Sequence, residues 1–77
     1  MVEHQSQHSR FVLEQDGNEC VLDYELHGTS VNFTHTYVPF RLRGKGLAEA
    51  LVKAALTWAD KEGLKKEASC WYVKKSL

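Results

Sequence analysis

The sequence predicts an α+β domain, a mixed sheet of about four strands with one main helix packed on it. Three features carry that expectation. Apolar and polar residues alternate through the first half, the period of a strand. From Leu47 to Glu62 the apolar residues switch to helical spacing. A second alternating stretch follows, so the element order is β-β-β-α-β. The chain has 77 residues, enough for one domain with a small core.

Residues 1–9 are polar and read as a disordered tail, which leaves 10–77 as the single domain. The first strand starts at Arg10, carries Phe11, Val12 and Leu13, and ends at Gln15. Asp16-Gly17 is a hairpin signal, because glycine accepts the positive φ of a tight two-residue turn. Glu19 to Leu26 is the return strand, with Cys20, Leu22, Tyr24 and Leu26 on one face. His27-Gly28-Thr29 turns the chain again. Ser30 to Val38 is a third strand, rich in β-branched and aromatic residues. Pro39, the only proline, ends it.

In the helical segment Leu47, Ala48, Leu51, Val52, Ala55, Trp58 and Ala59 share one face. Glu49 and Lys53 are spaced as an i,i+4 pair, and Gly63 stands where a C-terminal cap belongs. Leu64 to Val73 holds the last strand, with Ala68, Cys70 and Tyr72 alternating against Ser69, Trp71 and Val73. A strand–helix–strand succession makes a parallel crossover, so 30–38 should lie beside and parallel to 66–73.

Lys plus Arg and Asp plus Glu are 10 each, a net charge of 0. That balance argues against a dedicated nucleic-acid binder, whose phosphate contacts need a basic excess. Cys20 and Cys70 are too few for a disulfide framework, and no C-x-x-C pair suggests zinc. His4 and His8 have i,i+4 spacing but fall in the expected tail, so no metal is expected. No apolar run approaches the ~20 residues of a membrane span, and the N-terminus has no signal-peptide core. A cytoplasmic monomer is the expectation.

The stretch Arg41-Leu42-Arg43-Gly44-Lys45-Gly46 lies between a strand and a helix. Its glycines free the backbone to turn, the helix start supplies unpaired N–H groups, and three cations stand beside them. Such an end attracts phosphate. It is neither a P-loop nor a dinucleotide fingerprint, since Glu49 occupies the place of the third glycine. The plain alternative is a solvated glycine loop. For Cys70 and His35 the plain readings are a packed strand cysteine and a packed histidine on the face of Val31, Phe33 and Tyr37. Trp58 and Trp71 read as packing residues.

The six-residue stretch resembles the [RQ]-x-x-G-x-[GA] signature of the GCN5-related N-acetyltransferases. With His35-Thr36-Tyr37-Val38-Pro39 before it and Ser69-Cys70-Trp71-Tyr72-Val73 after it, the chain is similar to their minimal, single-domain subfamily. The resemblance covers about residues 10 to 75. It implies that acetyl-CoA binds between two splayed strands. The pyrophosphate would rest on the amides of Arg43, Gly44, Lys45, Gly46, Leu47 and Ala48, with the charges of Arg41, Arg43 and Lys45 beside it, and the pantetheine arm along Thr36, Tyr37 and Val38. It further implies His35 and Cys70 as a chemical pair, either for covalent transfer or beside direct transfer to an unidentified amine. The larger relatives' two helices after the first strand have no counterpart, which keeps a non-catalytic acyl-CoA-binding or protein-interaction module as the alternative.

Overall fold

The computed structural model describes residues 1–77. Five strands, β1 (Val2–Gln5), β2 (Arg10–Gln15), β3 (Asn18–His27), β4 (Ser30–Tyr37) and β5 (Lys65–Ala68), form one sheet in chain order. Helix α1 (Leu47–Lys61) joins β4 to β5, and a short helix, α2 (Trp71–Lys74), follows β5. The first four strands are antiparallel, while β4 and β5 run parallel, as the crossover through α1 requires. The α+β mixed sheet with one main helix is therefore the architecture, with a fifth strand added.

The local chemistry explains each joint. Asp16 and Gly17 both take positive φ, 54° and 76°, the pair that matches the twist of a two-residue hairpin. At the end of α1, Gly63 N–H bonds the Asp60 carbonyl and Leu64 N–H the Ala59 carbonyl. Gly63 turns the chain there with φ 70°. Leu51, Val52, Ala55 and Ala59 of α1 are buried against Phe11, Leu22, Tyr24 and Phe33 of the sheet. Each large apolar side chain so covered contributes about 1.5–3 kcal/mol. The two alanines keep the helix close to the strands.

Two expectations need correction. The expected tail 1–9 instead supplies β1 and a 3-10 turn, Ser6–His8. Glu3 and Gln5 are the outer face of an edge strand, while Val2 and His4 align with Leu13 and Phe11 on the helix face. The His4 ring stacks on Phe11 at 4.1 Å between centroids and meets Trp58 edge-on at 4.8 Å. Its Nε2 lies 2.7 Å from the Tyr24 hydroxyl. Alternating polar residues, which look like a solvated tail, are also what a half-covered edge strand looks like. The second correction concerns 66–73. β5 ends at Ala68, because Ser69 and Cys70 both donate to the Phe33 carbonyl and the chain then coils into α2.

Burial depresses the pKa of His4, opposed by the charge of Glu62. An unfolded histidine titrates near 6.5, so as pH falls through that range the unfolded chain takes up the proton first and stability declines. The melting temperature of the native protein should fall between about pH 7.5 and 5, and that of His4→Phe should fall less. Equal slopes in the two proteins would remove His4 from the account.

Candidate functional site

Strict alternation along β4 puts Val31, Phe33, His35 and Tyr37 on one face. The observed register breaks it. Tyr24 pairs with Phe33, but the next residue of β3, Asp23, pairs with His35, so Thr34 is an inserted residue. This is a β-bulge. The Thr34 hydroxyl donates to the Asp23 carbonyl at 3.4 Å. Beyond the bulge Thr36 pairs with buried Leu22 and turns to the helix face. His35 and Tyr37 pair with Asp23 and Val21 on the opposite face, and both are exposed. The reading of His35 as a packed core histidine is thereby corrected.

The β4–β5 pairing stops at Phe33 and Ala68, beside the bulge. From there β4 runs on without a partner on its β5 side, and a cleft opens. Its volume is about 600 Å³, within the range of roughly 300–1,000 Å³ usual for small-molecule sites. Thr36 and Val38 form one wall. Cys70, Trp71 and Tyr72 form the other, and the loop from Leu42 to the start of α1 closes one end.

That end is built to meet an anion. Gly46 occupies the N-cap position of α1 with φ 77°, and no side chain caps the helix. The amides of Leu47, Ala48 and Glu49 precede the first helical bond, from Ala50 to Gly46. Arg43 is held in place: its Nε donates to the Val38 carbonyl at 3.0 Å, and its guanidinium lies 5.9 Å from the Phe40 ring centre. Gly44, with φ 82°, turns the loop.

Most of the residues singled out in the sequence come together here. Thr36, Val38, Arg43, Gly44 and Gly46 line the cleft, as do Leu47, Ala48 and Cys70. Arg41 and Lys45 lie on the exposed loop outside the lining. Tyr37 and His35 are on the other face of the sheet, so the expected pairing of His35 with Cys70 is not formed. The bulge is the physical reason.

Cys70 Sγ lies 3.6 Å from the Thr36 hydroxyl. Burial opposes ionisation of this thiol. The Thr36 hydroxyl and the amides of Val73, Tyr72 and Thr36 outweigh it and hold the thiol below its ordinary range. Cys20 is fully buried with no such donors, and burial pushes its thiol up. Tyr72 is also shifted upward, first by burial and then by the Glu49 carboxylate facing it.

The sequence reading missed Leu42, Glu49, Trp71 and Tyr72. Trp71 is 72% exposed rather than packed, with Lys75 Nζ 5.2 Å from its ring centre. A signal for Trp71 and Tyr72 existed in the stretch 69–73, where a helix start presents successive residues on one side. Net charge also hid a pattern. Residues 1–38 hold six acidic and one basic side chain, residues 39–77 four acidic and nine basic. The cleft loop and both helices belong to the basic half, which favours an anionic ligand there. No group of three or more His, Cys, Asp or Glu is placed to hold a metal ion, and no helix is long and apolar enough to cross a membrane.

A bulged strand parting from its parallel neighbour over an open helix start defines a small acyltransferase-like domain. The model of the GCN5-related N-acetyl-transferase family matches residues 10–77. The chain is 42% identical to mouse (Mus musculus) Protein NATD1 over 77 residues, covering 96% of this chain and 70% of that protein. It is 40% identical to the chicken (Gallus gallus) protein of the same name, with the same coverage. It is also 40% identical to the Homo sapiens protein, covering 68% of it. This chain belongs to the GCN5-related N-acetyltransferase family.

The contrast between the two thiols is directly measurable. Iodoacetamide at neutral pH should label Cys70 at least tenfold faster than Cys20, which should react only on unfolding. Peptide mapping of a time course reads both rates, and equal rates would contradict the assigned environments.

Proposed function

We propose that the domain binds acetyl-CoA in this cleft and transfers its acetyl group to an amine. One observation carries the reading: a single cleft holds an uncapped helix start with Arg43 at one end and a donor-stabilised cysteine beside a free strand edge. Those are the two ends an acyl-CoA presents, phosphates and thioester. The pyrophosphate would take the amides of Leu47 and Ala48 and the charge of Arg43. The pantetheine arm would pair with the free edge of β4 from Thr36 to Val38.

Cys70 then stands near the thioester. In covalent transfer its thiolate attacks the acetyl carbon, and the bond from that carbon to the CoA sulfur breaks. CoA leaves as a thiolate and takes up a proton. The amine next attacks the acetyl-cysteine, restoring the cysteine thiolate and losing its own proton to solvent. In direct transfer the amine attacks acetyl-CoA itself, with amides of the cleft stabilising the oxyanion. His35 is assigned no part in either route, because the bulge turns it away.

One observation favours the second reading, a non-catalytic acyl-CoA-binding module. The outer face of the sheet has no helix across it, so no wall for an acceptor is built there. Acetylated amine in a mass-resolved assay, or its absence with binding intact, separates the two.

Calorimetric titration should give saturable binding of acetyl-CoA that weakens as salt rises. Arg43→Gln should weaken it more than Arg41→Gln, by roughly 1 kcal/mol or more, since only Arg43 lines the cleft. No saturable binding, or equal losses in the two variants, would sink the placement of the phosphates.

A further inference from the structure

Two cysteines of one small domain differ in their surroundings, and the one side chain bonded to either sulfur is that of Thr36, at Cys70. Cys20 is enclosed with no polar partner for its sulfur. Cys70 is partly enclosed too, but its sulfur faces the Thr36 hydroxyl at 3.6 Å. We propose that Thr36 is the positioning residue for Cys70, holding its sulfur at the cleft and stabilising its ionised form. The purpose of that role rests on the acetyl-transfer reading, but the chemistry does not need CoA.

The hydroxyl suits both protonation states. Facing a thiol, its oxygen accepts the S–H bond. When the thiol gives its proton to water, the hydroxyl rotates and donates O–H to the sulfur instead. A bond to an ionised acceptor is about twice as strong as a neutral one, so the net effect favours the thiolate. Threonine is also stiff at χ1, which limits where its oxygen can go. Its backbone is fixed by pairing with Leu22 on one side of the Thr34 bulge.

No other titratable group of β4 faces Cys70, because His35 and Tyr37 are on the opposite side of the sheet. From the other elements around the cleft come Arg43 on the loop, Glu49 on α1 and Tyr72 on α2. Tyr72 is held neutral by burial and by Glu49, and Arg43 is tied to the Val38 carbonyl. The general-base role that the family resemblance implied for His35 is thus replaced by a hydroxyl that lowers the need for a base.

The test is the pH profile of Cys70 alkylation by iodoacetamide without CoA, with Cys20 labelling as the internal report of unfolding. Thr36→Val keeps the shape and removes the hydroxyl. At pH 7 its Cys70 should react roughly tenfold more slowly, with the profile shifted to higher pH. Thr36→Ser should recover the native profile within about twofold, and His35→Asn should leave it unmoved. A native profile in Thr36→Val, a serine variant as slow as the valine one, or a shift in His35→Asn would each overturn the proposal. Should Thr36→Val expose Cys20, the unmutated protein decides: the S–H Raman band of Cys70 should lie at lower frequency than that of Cys20, and coincident bands would overturn the assignment. A failed acetyl-CoA titration with these profiles as expected would remove the functional reading and leave the role of Thr36 standing.

Discussion

One inserted residue organises the working half of this domain. Thr34 shifts the register of β4 by one position, and a one-residue shift exchanges the faces of everything after it. Before the bulge Val31 and Phe33 lie buried under α1. After it Thr36 and Val38 take the helix face and His35 and Tyr37 leave it. The pairing with β5 ends at the same level, so the strand that changes face also loses its neighbour. The cleft exists because both happen together.

The electrostatics follow from that geometry. A cleft between a free strand edge and a helix start is lined by amides, which favour negative charge without carrying any positive charge themselves. Arg43 adds one fixed cation, and the surrounding half of the chain is basic. The acidic half of the chain lies largely in the antiparallel strands, away from that loop. Net charge describes the whole molecule, and the field at a site depends on how the charges are divided.

Much of this was legible in the sequence. The hairpin at Asp16-Gly17, the helix with Leu51, Val52, Ala55 and Ala59 inward, the Gly63 turn and the parallel crossover all rest on periods and turn chemistry that act locally. The loop from Arg43 to Ala48 was legible for the same reason, since glycines between a strand and a helix leave few arrangements. What stayed hidden depends on contacts distant in sequence. A bulge leaves the residue types of β4 unchanged, so alternation carried His35 to the wrong face. β1 is held by the stack of His4 on Phe11 and the edge of Trp58, partners that its own composition does not announce. The stop of β5 at Ala68 is set by the Phe33 carbonyl across the sheet.

The central claim is that one cleft joins the anion-binding helix start to Cys70, and a single ligand spanning both ends tests it. Iodoacetamide labelling of Cys70 should slow as CoA is added, with half-protection at the concentration that half-saturates binding by calorimetry. 3′,5′-ADP, which carries phosphates but no pantetheine arm, should bind without that protection. Protection by CoA and by 3′,5′-ADP alike, or CoA binding that leaves Cys70 labelling unchanged, would contradict the account.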